Sequence, residues 1–205
     1  MNSEVPARVG RPRDLGKDQA VLAAARRLLA QVGYQQTTIT AIARSAEVNT
    51  PAIYRRWPTR EALIEEAVHG TGGHPLPEIS GDLRTDLATW ARIFLVRAAR
   101  PAARAGVPGL LADSRSEDAR QRLLVIGDPV RRAFQAMLDN AAVRGEIPVE
   151  VDATFLFDLL SGATTMRGLT RGTEDEDRFV DSLAGSLFVL AVHASETNGV
   201  TAVHE

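Results

Sequence analysis

Residues 49–57, NTPAIYRRW, combine side chains that could contact a nucleic acid. If this segment is a helix, Ile53 and Trp57 are four residues apart, so they share one face and pack inward. The opposite side then carries small groups, a hydroxyl, an aromatic ring and two guanidinium groups. Such donors and methyl groups suit the base edges of a DNA major groove. We therefore predict a DNA-reading face, with an ordinary solvated surface as the alternative, formed by Thr50, Ala52, Tyr54, Arg55 and Arg56.

Local signals predict the elements that position this helix. In the preceding segment ITAIARSA, the apolar residues recur at the spacing of one helical face, and Thr38 stands before them as an N-cap. Asn49 is a suitable N-cap for the second helix, where Pro51 fits the first turn and Pro58 stops the helix. Thr59 can then cap a third helix. Two short helices joined by so tight a turn cross steeply, which predicts a helix-turn-helix.

Residues 18–68 resemble the TetR/AcrR family of one-component transcriptional regulators. The similarity lies in the segments AARRLLAQVGYQQTT, IARSAEV and IYRRWPTREAL. Trp57 stands where Phe is more usual, and Arg60 where Lys is common. Glu47 occupies a position at which the family often has Gly, so a left-handed backbone there would carry a modest strain.

The resemblance implies an all-α protein of about nine helices, with a three-helix helix-turn-helix DNA-binding domain before a helical bundle for ligand binding and dimerisation. It also implies which residues contact DNA: Thr38, Tyr54 and Arg60 at phosphates, and Thr50, Pro51, Ala52 and Arg55 near the bases. In this family a small molecule commonly enters the helical bundle and moves the two DNA-binding domains of the dimer apart. Repression is the commoner mode of regulation, and we expect no enzymatic activity.

The distribution of charge also favours a polyanionic partner. The 205-residue chain has a net charge of −2, but residues 1–60 carry +6 and the remainder −8. In the basic arm, residues 1–14, Arg11 and Arg13 either enter a minor groove or attract phosphates diffusely. The chain has no cysteine, and its histidines lack partners at metal-ligand spacing, so we expect no metal or other cofactor. No apolar run approaches the roughly 20 residues of a membrane span, and we expect a cytoplasmic protein without a membrane partner.

The rest of the chain reads as a helical body joined through a linker rich in Gly and Pro. One helical stripe should end near Pro101, a short helix or irregular segment should follow at 107–116, and another helix should reach Pro129. The first helix of the chain should end at Gly33. The expected units are the arm 1–14, the DNA-binding domain 15–69, the linker 70–81, the ligand-binding and dimerisation domain 82–196, and the tail 197–205.

The last two predicted helices, in 153–169 and 177–193, are apolar on most of their circumference. A helix of this kind needs burial on two sides, so one side can face a second copy of the chain. The alternative is two core helices of a monomer. We predict a homodimer with a four-helix interface that includes Phe157, Ser161, Gly162, Ala184, Leu187 and Leu190.

Aromatic and methionine side chains of the body could line an effector cavity between helices. For each of them, ordinary core packing is the alternative. The candidates are Trp90, Phe94, Phe134, Met137, Phe155 and Met166. The sequence thus predicts a homodimeric transcriptional regulator that binds a palindromic double-stranded DNA operator and is released by a small, largely apolar ligand. The alternative function is a ligand-independent DNA-binding or adaptor protein that acts through a protein partner.

Overall fold

The computed structural model describes residues 15–69, 76–113 and 117–194. These residues form nine α-helices and no strand: α1 (Leu15–Gln36), α2 (Ile39–Ala46), α3 (Thr50–Arg56), α4 (Arg60–His69), α5 (Leu83–Ala99), α6 (Pro101–Asp113), α7 (Glu117–Val143), α8 (Ala153–Arg171) and α9 (Glu176–Val192). The predicted all-α architecture is therefore confirmed. The predicted arm with Arg11 and Arg13 and the predicted tail 197–205 lie outside the described residues. None of the described helices is long and apolar enough to cross a lipid bilayer.

Helices α1 to α4 form an N-terminal domain, called the head below, around its own apolar core. The Thr38 hydroxyl oxygen accepts a hydrogen bond from the backbone N–H of Ala41 at 3.2 Å, and the Asn49 Oδ1 accepts one from Ala52 at 2.9 Å. The Thr59 hydroxyl oxygen accepts one from Ala62 at 3.1 Å. All three N-caps predicted in the head are therefore confirmed, and each satisfies a backbone donor that its helix leaves unpaired. The core that holds the helices together includes Val21, Ala25, Ile42, Ile53, Trp57 and Leu63.

Two backbone positions with positive φ interrupt regular helical geometry in the head. Glu47, in the turn between α2 and α3, is left-handed with φ 56° and ψ 37°. This conformation costs a residue with a side chain about 1–2 kcal/mol. Gly33 interrupts the regular helix of α1 with φ 77° and ψ 177°, and a further turn continues to Gln36.

The remaining helices form the body, whose core lies between α5, α7, α8 and α9. At its centre, the Trp90 and Phe134 rings meet edge to face at 5.3 Å, and Phe134 and Phe157 meet at 5.5 Å. Helices α5 and α8 approach each other closely at Gly168, where an added Cβ would lie 2.5 Å from the Cβ of Ala98. The absence of a side chain at Gly168 therefore permits this helix packing.

The middle of the body differs from the sequence prediction. Pro101 is the first residue of α6, which continues as one helix through Pro108 to Asp113, whereas we expected a short helix or irregular segment. Similarly, α7 runs through Pro129 instead of breaking there. A proline at the first helical position loses no hydrogen bond, and tertiary packing offsets the bond that an internal proline removes.

The head and the body share an apolar junction. Helix α6 packs on both α1 and α4, and these three helices contribute the buried side chains of Leu29, Tyr34, Ile64 and Leu110. The two parts are thus joined by packed side chains as well as by the connecting segment.

Candidate DNA-binding surface and effector cavity

Helix α3 is short, and its orientation depends on anchors at both ends. Asn49 caps its first turn, while Ile53 and Trp57 are buried in the head. The indole N–H of Trp57 donates a hydrogen bond to a carboxylate oxygen of Glu66 on α4 at 2.7 Å. This bond satisfies the buried donor and fixes the rotation of α3 against α4.

The outward side of α3 presents the aromatic and cationic groups predicted from the sequence. Tyr54 is 50% exposed, and Arg55 is exposed without a hydrogen bond or ion pair to any residue that the structure describes. Pro51 is exposed, whereas Thr50 and Ala52 are half-buried. Thr38 is also exposed at the start of α2. These residues remain a candidate surface for phosphates and base edges.

Arg56 is exposed like Arg55, but unlike Arg55 it is paired within the head. Its guanidinium lies 3.3 Å from a carboxylate oxygen of Asp18 and 3.2 Å from one of Glu66, and it stacks 5.3 Å from the centre of the Trp57 ring. It therefore links α3 to α1 and α4. The prediction that placed Arg56 on the reading face did not account for these two acids, which come together with Arg56 only in the folded head.

Arg60, predicted as a phosphate contact, is partly buried and bonded within the head. Its Nε donates to the carbonyl oxygen of Thr37 at 2.7 Å, a second nitrogen donates to the Tyr34 carbonyl, and the third lies 3.5 Å from Glu61. The guanidinium also stacks 4.2 Å from the centre of the Tyr34 ring. All three nitrogens are engaged within the protein, so Arg60 holds the end of α1 against α4.

One cation at the surface of the head was absent from the predicted site. Arg44, on α2, is exposed and pairs with none of the residues in the described part of the chain. Its position in the sequence carried the signal, because it falls off the apolar stripe of Ile39, Ile42 and Ala43. Arg44 and Arg55 are thus the exposed arginines of the described head with a free guanidinium.

A cavity of about 460 Å³ lies in the body beneath the head. Residues from α4, α5, α6, α7 and α8 line it, and its apolar wall includes Val68, Phe94, Val107, Leu110, Val130 and Phe157. The polar groups at its surface are His69, Arg97, Arg131, Ser161 and Thr165. This size and this mixture of a large apolar wall with a few polar groups are typical of sites for small organic ligands.

The predicted ligand-binding set coincides with this cavity only at Phe94. Trp90, Phe134 and Met137 are 3%, 0% and 1% exposed and belong to the core of the body. Phe155 and Met166 instead face outward from α8 and are 52% and 64% exposed. Residue type identified apolar side chains but could not show which of them border an empty space.

The six residues predicted at the dimer interface lie in three different environments. Ala184 and Leu187 are 2% and 1% exposed within the single chain, so they offer no surface to a partner. Phe157 and Ser161 line the cavity. Gly162 and Leu190 are exposed.

The end of α6 connects the cavity wall to the head. The Tyr34 hydroxyl donates a hydrogen bond to a carboxylate oxygen of Asp113 at 2.6 Å. Burial, followed by this hydrogen bond, raises the pKa of Tyr34 well above its ordinary value. Gly109 lies directly against the same ring, where an added Cβ would collide with it. Tyr34 is therefore clamped between α6 and Arg60, as expected of a packing residue.

Among the described residues, no group of three or more His, Asp or Glu side chains is placed to hold a metal ion.

Comparison with known proteins places both parts of the chain in one family. Residues 21–67 match the family described as "Bacterial regulatory proteins, tetR family", and residues 77–187 match the "Tetracyclin repressor-like, C-terminal domain". The HTH-type regulator YdeS of Bacillus subtilis is 29% identical over 92% of this chain and 97% of its own length. The DNA-binding transcriptional repressor TetR of Mycobacteroides abscessus is 31% identical over 86% of this chain and 94% of its own.

Solved structures share the fold. The TetR family transcription regulator SCO0332 superposes with a TM-score of 0.68 at 26% identity, over 84% of this chain and 97% of its own. GusR of Salmonella enterica superposes with a TM-score of 0.63 at 23% identity, over 90% of this chain and 99% of its own. With the helix-turn-helix of α2 and α3, these matches establish that the chain belongs to the TetR family of DNA-binding transcriptional regulators.

Proposed function

We propose that this chain is a homodimeric repressor that binds a palindromic DNA operator and leaves it when a small molecule occupies the cavity of the body. The observation that carries the proposal is the outward side of α3, where Tyr54 is half exposed and Arg55 has no partner among the described residues. A free guanidinium on a rigidly held helix is available for base edges or phosphates without first breaking an internal ion pair.

The homodimer is supported by a second unpartnered surface. On α8, Phe155, Gly162 and Met166 are exposed at spacings of seven and four residues, which places them on one side of the helix. Val189 and Leu190 on α9 are 55% and 43% exposed. We propose that these two helix faces, called the α8–α9 face below, pair with their copies around a two-fold axis. This symmetry would present two α3 helices to two half-sites about one turn of DNA apart.

Release by a ligand is supported by the position of α6. Its residues Val107 and Leu110 border the cavity, and its last residue, Asp113, holds Tyr34 at the end of α1. The end of α4 also borders the cavity through Val68. A ligand that displaces α6 would therefore move α1 and α4, the two helices that hold α3. A ligand-driven switch requires such a ligand to contact the two arrangements of the protein differently.

The first experiment selects bound duplexes from a random DNA pool with the full chain, and then follows affinity against salt. Enrichment of an inverted repeat, with an affinity that falls steeply as salt rises, is the expected result. Enrichment of no sequence would refute the operator, and enrichment of a single half-site would refute the dimeric mode of binding.

Paired variants test the reading face on the selected duplex. Arg55→Ala should weaken binding by about 1–3 kcal/mol, the range of one good base or phosphate contact. Arg104→Ala is the matched control, because Arg104 is an exposed arginine on α6 in the body. Equal affinities of the two variants would remove Arg55 from the DNA-binding surface.

A further inference from the structure

The cavity contains a positive charge that none of the described residues neutralises. Arg97, on α5, lines the cavity and is partly buried, yet its guanidinium forms no hydrogen bond or ion pair within the described part of the chain. The other arginine of the wall, Arg131, lies 2.9 Å from Asp158 and stacks 4.6 Å from the centre of the Phe157 ring. One cavity arginine is thus paired and the other is available.

The surroundings of Arg97 raise the cost of leaving its charge unpaired. No acidic side chain is among the described residues of the cavity wall. Burial, and then the positive charge of Arg100, lower the pKa of Arg97 from its ordinary value. Burying a cation without a partner is unfavourable, and an anion bound beside it would offset the desolvation and the repulsion together.

The rest of the wall indicates what such an anion would carry. The Phe94 and Phe157 rings meet edge to face at 5.7 Å beside aliphatic side chains, which makes a surface for an apolar or aromatic group. Ser161 and Thr165, one turn apart on α8, add hydroxyl groups to the wall.

From this arrangement we propose that the effector is an amphiphilic organic acid, with its anionic group paired to Arg97 and its apolar body packed against Phe94 and Phe157. This inference rests on the proposed function, since it names the class of molecule that would occupy the same cavity. It adds an anionic group to the small, largely apolar ligand that the sequence predicts.

Two dyes that share their aromatic rings test the charge directly. Anilinonaphthalene sulfonate is anionic, phenylnaphthylamine lacks the sulfonate, and both fluoresce when they enter an apolar site. The measured quantity is the ratio of the two Kd values for the full chain. In Arg97→Gln this ratio should shift against the anion by about ten- to a hundredfold, the range for a hydrogen bond to a charged group, while the neutral dye binds as before.

Arg92→Gln is the matched control on the same helix. Arg92 is 45% exposed and paired with Glu176 and Asp177, and it does not border the cavity, so its loss should leave the ratio within twofold. An unchanged ratio in Arg97→Gln would overturn the proposal, as would an equal shift in both variants. Failure of the wild-type protein to bind either dye would also overturn it.

A measurement on the wild-type protein keeps the test independent of how the variants fold. Naphthoate and naphthalene methanol, which differ in carboxylate and hydroxymethyl groups, compete for bound phenylnaphthylamine. Displacement at least tenfold stronger by naphthoate supports the proposal, and equal or weaker displacement contradicts it.

Binding of the selected DNA duplex is measured separately for the wild-type protein and for each variant. Binding of the anion that depends on Arg97 but leaves the DNA complex intact would preserve the anion site at Arg97 and refute ligand release. Release of the DNA by a ligand whose binding does not depend on Arg97 would support ligand release and refute the anion site at Arg97.

Discussion

The contact between α5 and α8 allows a prediction in which two similar substitutions in one helix have opposite effects. In Gly168→Ala, the new Cβ would lie 2.5 Å from the Cβ of Ala98, 2.8 Å from the carbonyl carbon of Ala98 and 2.9 Å from the nitrogen of Ala99. Two of these three atoms belong to the backbone and cannot rotate away. Relief therefore requires α8 to move off α5. In Gly162→Ala, the new Cβ meets nothing within 4 Å.

The size of each effect follows from two opposing contributions. Overpacking in a close contact costs about 1–3 kcal/mol, and the rigid backbone neighbours place Gly168→Ala near the upper end. Ala is favoured over Gly inside a helix by about 1 kcal/mol, which leaves a net loss of about 2 kcal/mol. For a chain of this size, the loss corresponds to a Tm about 4–8 °C lower. Gly162→Ala keeps only the gain, about 1 kcal/mol, and should melt about 2–4 °C higher.

Thermal melts followed by circular dichroism measure both variants at one protein concentration. Sedimentation is run in parallel, because Gly162 lies on the α8–α9 face and a change in dimerisation would alter Tm by mass action. A Gly168→Ala protein that melts at or above the wild-type temperature would refute the close packing of α5 against α8.

Three further predictions concern the cap, the buried phenol and the dimer. Asn49→Ala should cost about 1 kcal/mol and weaken binding to the selected duplex, whereas Asn49→Asp keeps the cap; an unchanged melt for the Ala variant would contradict this. Burial raises the pKa of Tyr34, so the folded protein keeps this phenol protonated when the unfolded chain ionises it, and stability should fall as pH rises above 10.0, the ordinary value. Urea denaturation on either side of that pH should show a smaller fall in Tyr34→Phe. Phe155→Glu combined with Met166→Glu should sediment as a monomer, while Val143→Glu, at a site on α7 that is 89% exposed, should not.

The head could be predicted in detail because its determinants are local. Thr38 and Asn49 cap the helices that follow them, and Glu47 takes the left-handed turn between them. Each of these features depends on residues within one turn of the chain, where side-chain type and spacing act directly on the backbone. The family resemblance rests on the same stretch.

Proline signals were less reliable in the body. Both Pro108 and Pro129 lie inside helices, although either residue alone would predict an end. Burial of one face of a long helix offsets the loss of a single backbone hydrogen bond, and only the packed neighbours reveal that burial.

By itself, the sequence determined that the chain is all-α and that its head is a helix-turn-helix with Tyr54 and Arg55 facing outward. Only the tertiary structure decided that Arg56 and Arg60 hold the head together, since Asp18, Glu66 and the carbonyl of Thr37 come from distant turns. It also decided which apolar side chains surround the cavity and left the charge of Arg97 without a protein partner among the described residues. Periodicity shows which face of a helix is buried, but a cavity or an ion pair depends on which faces meet.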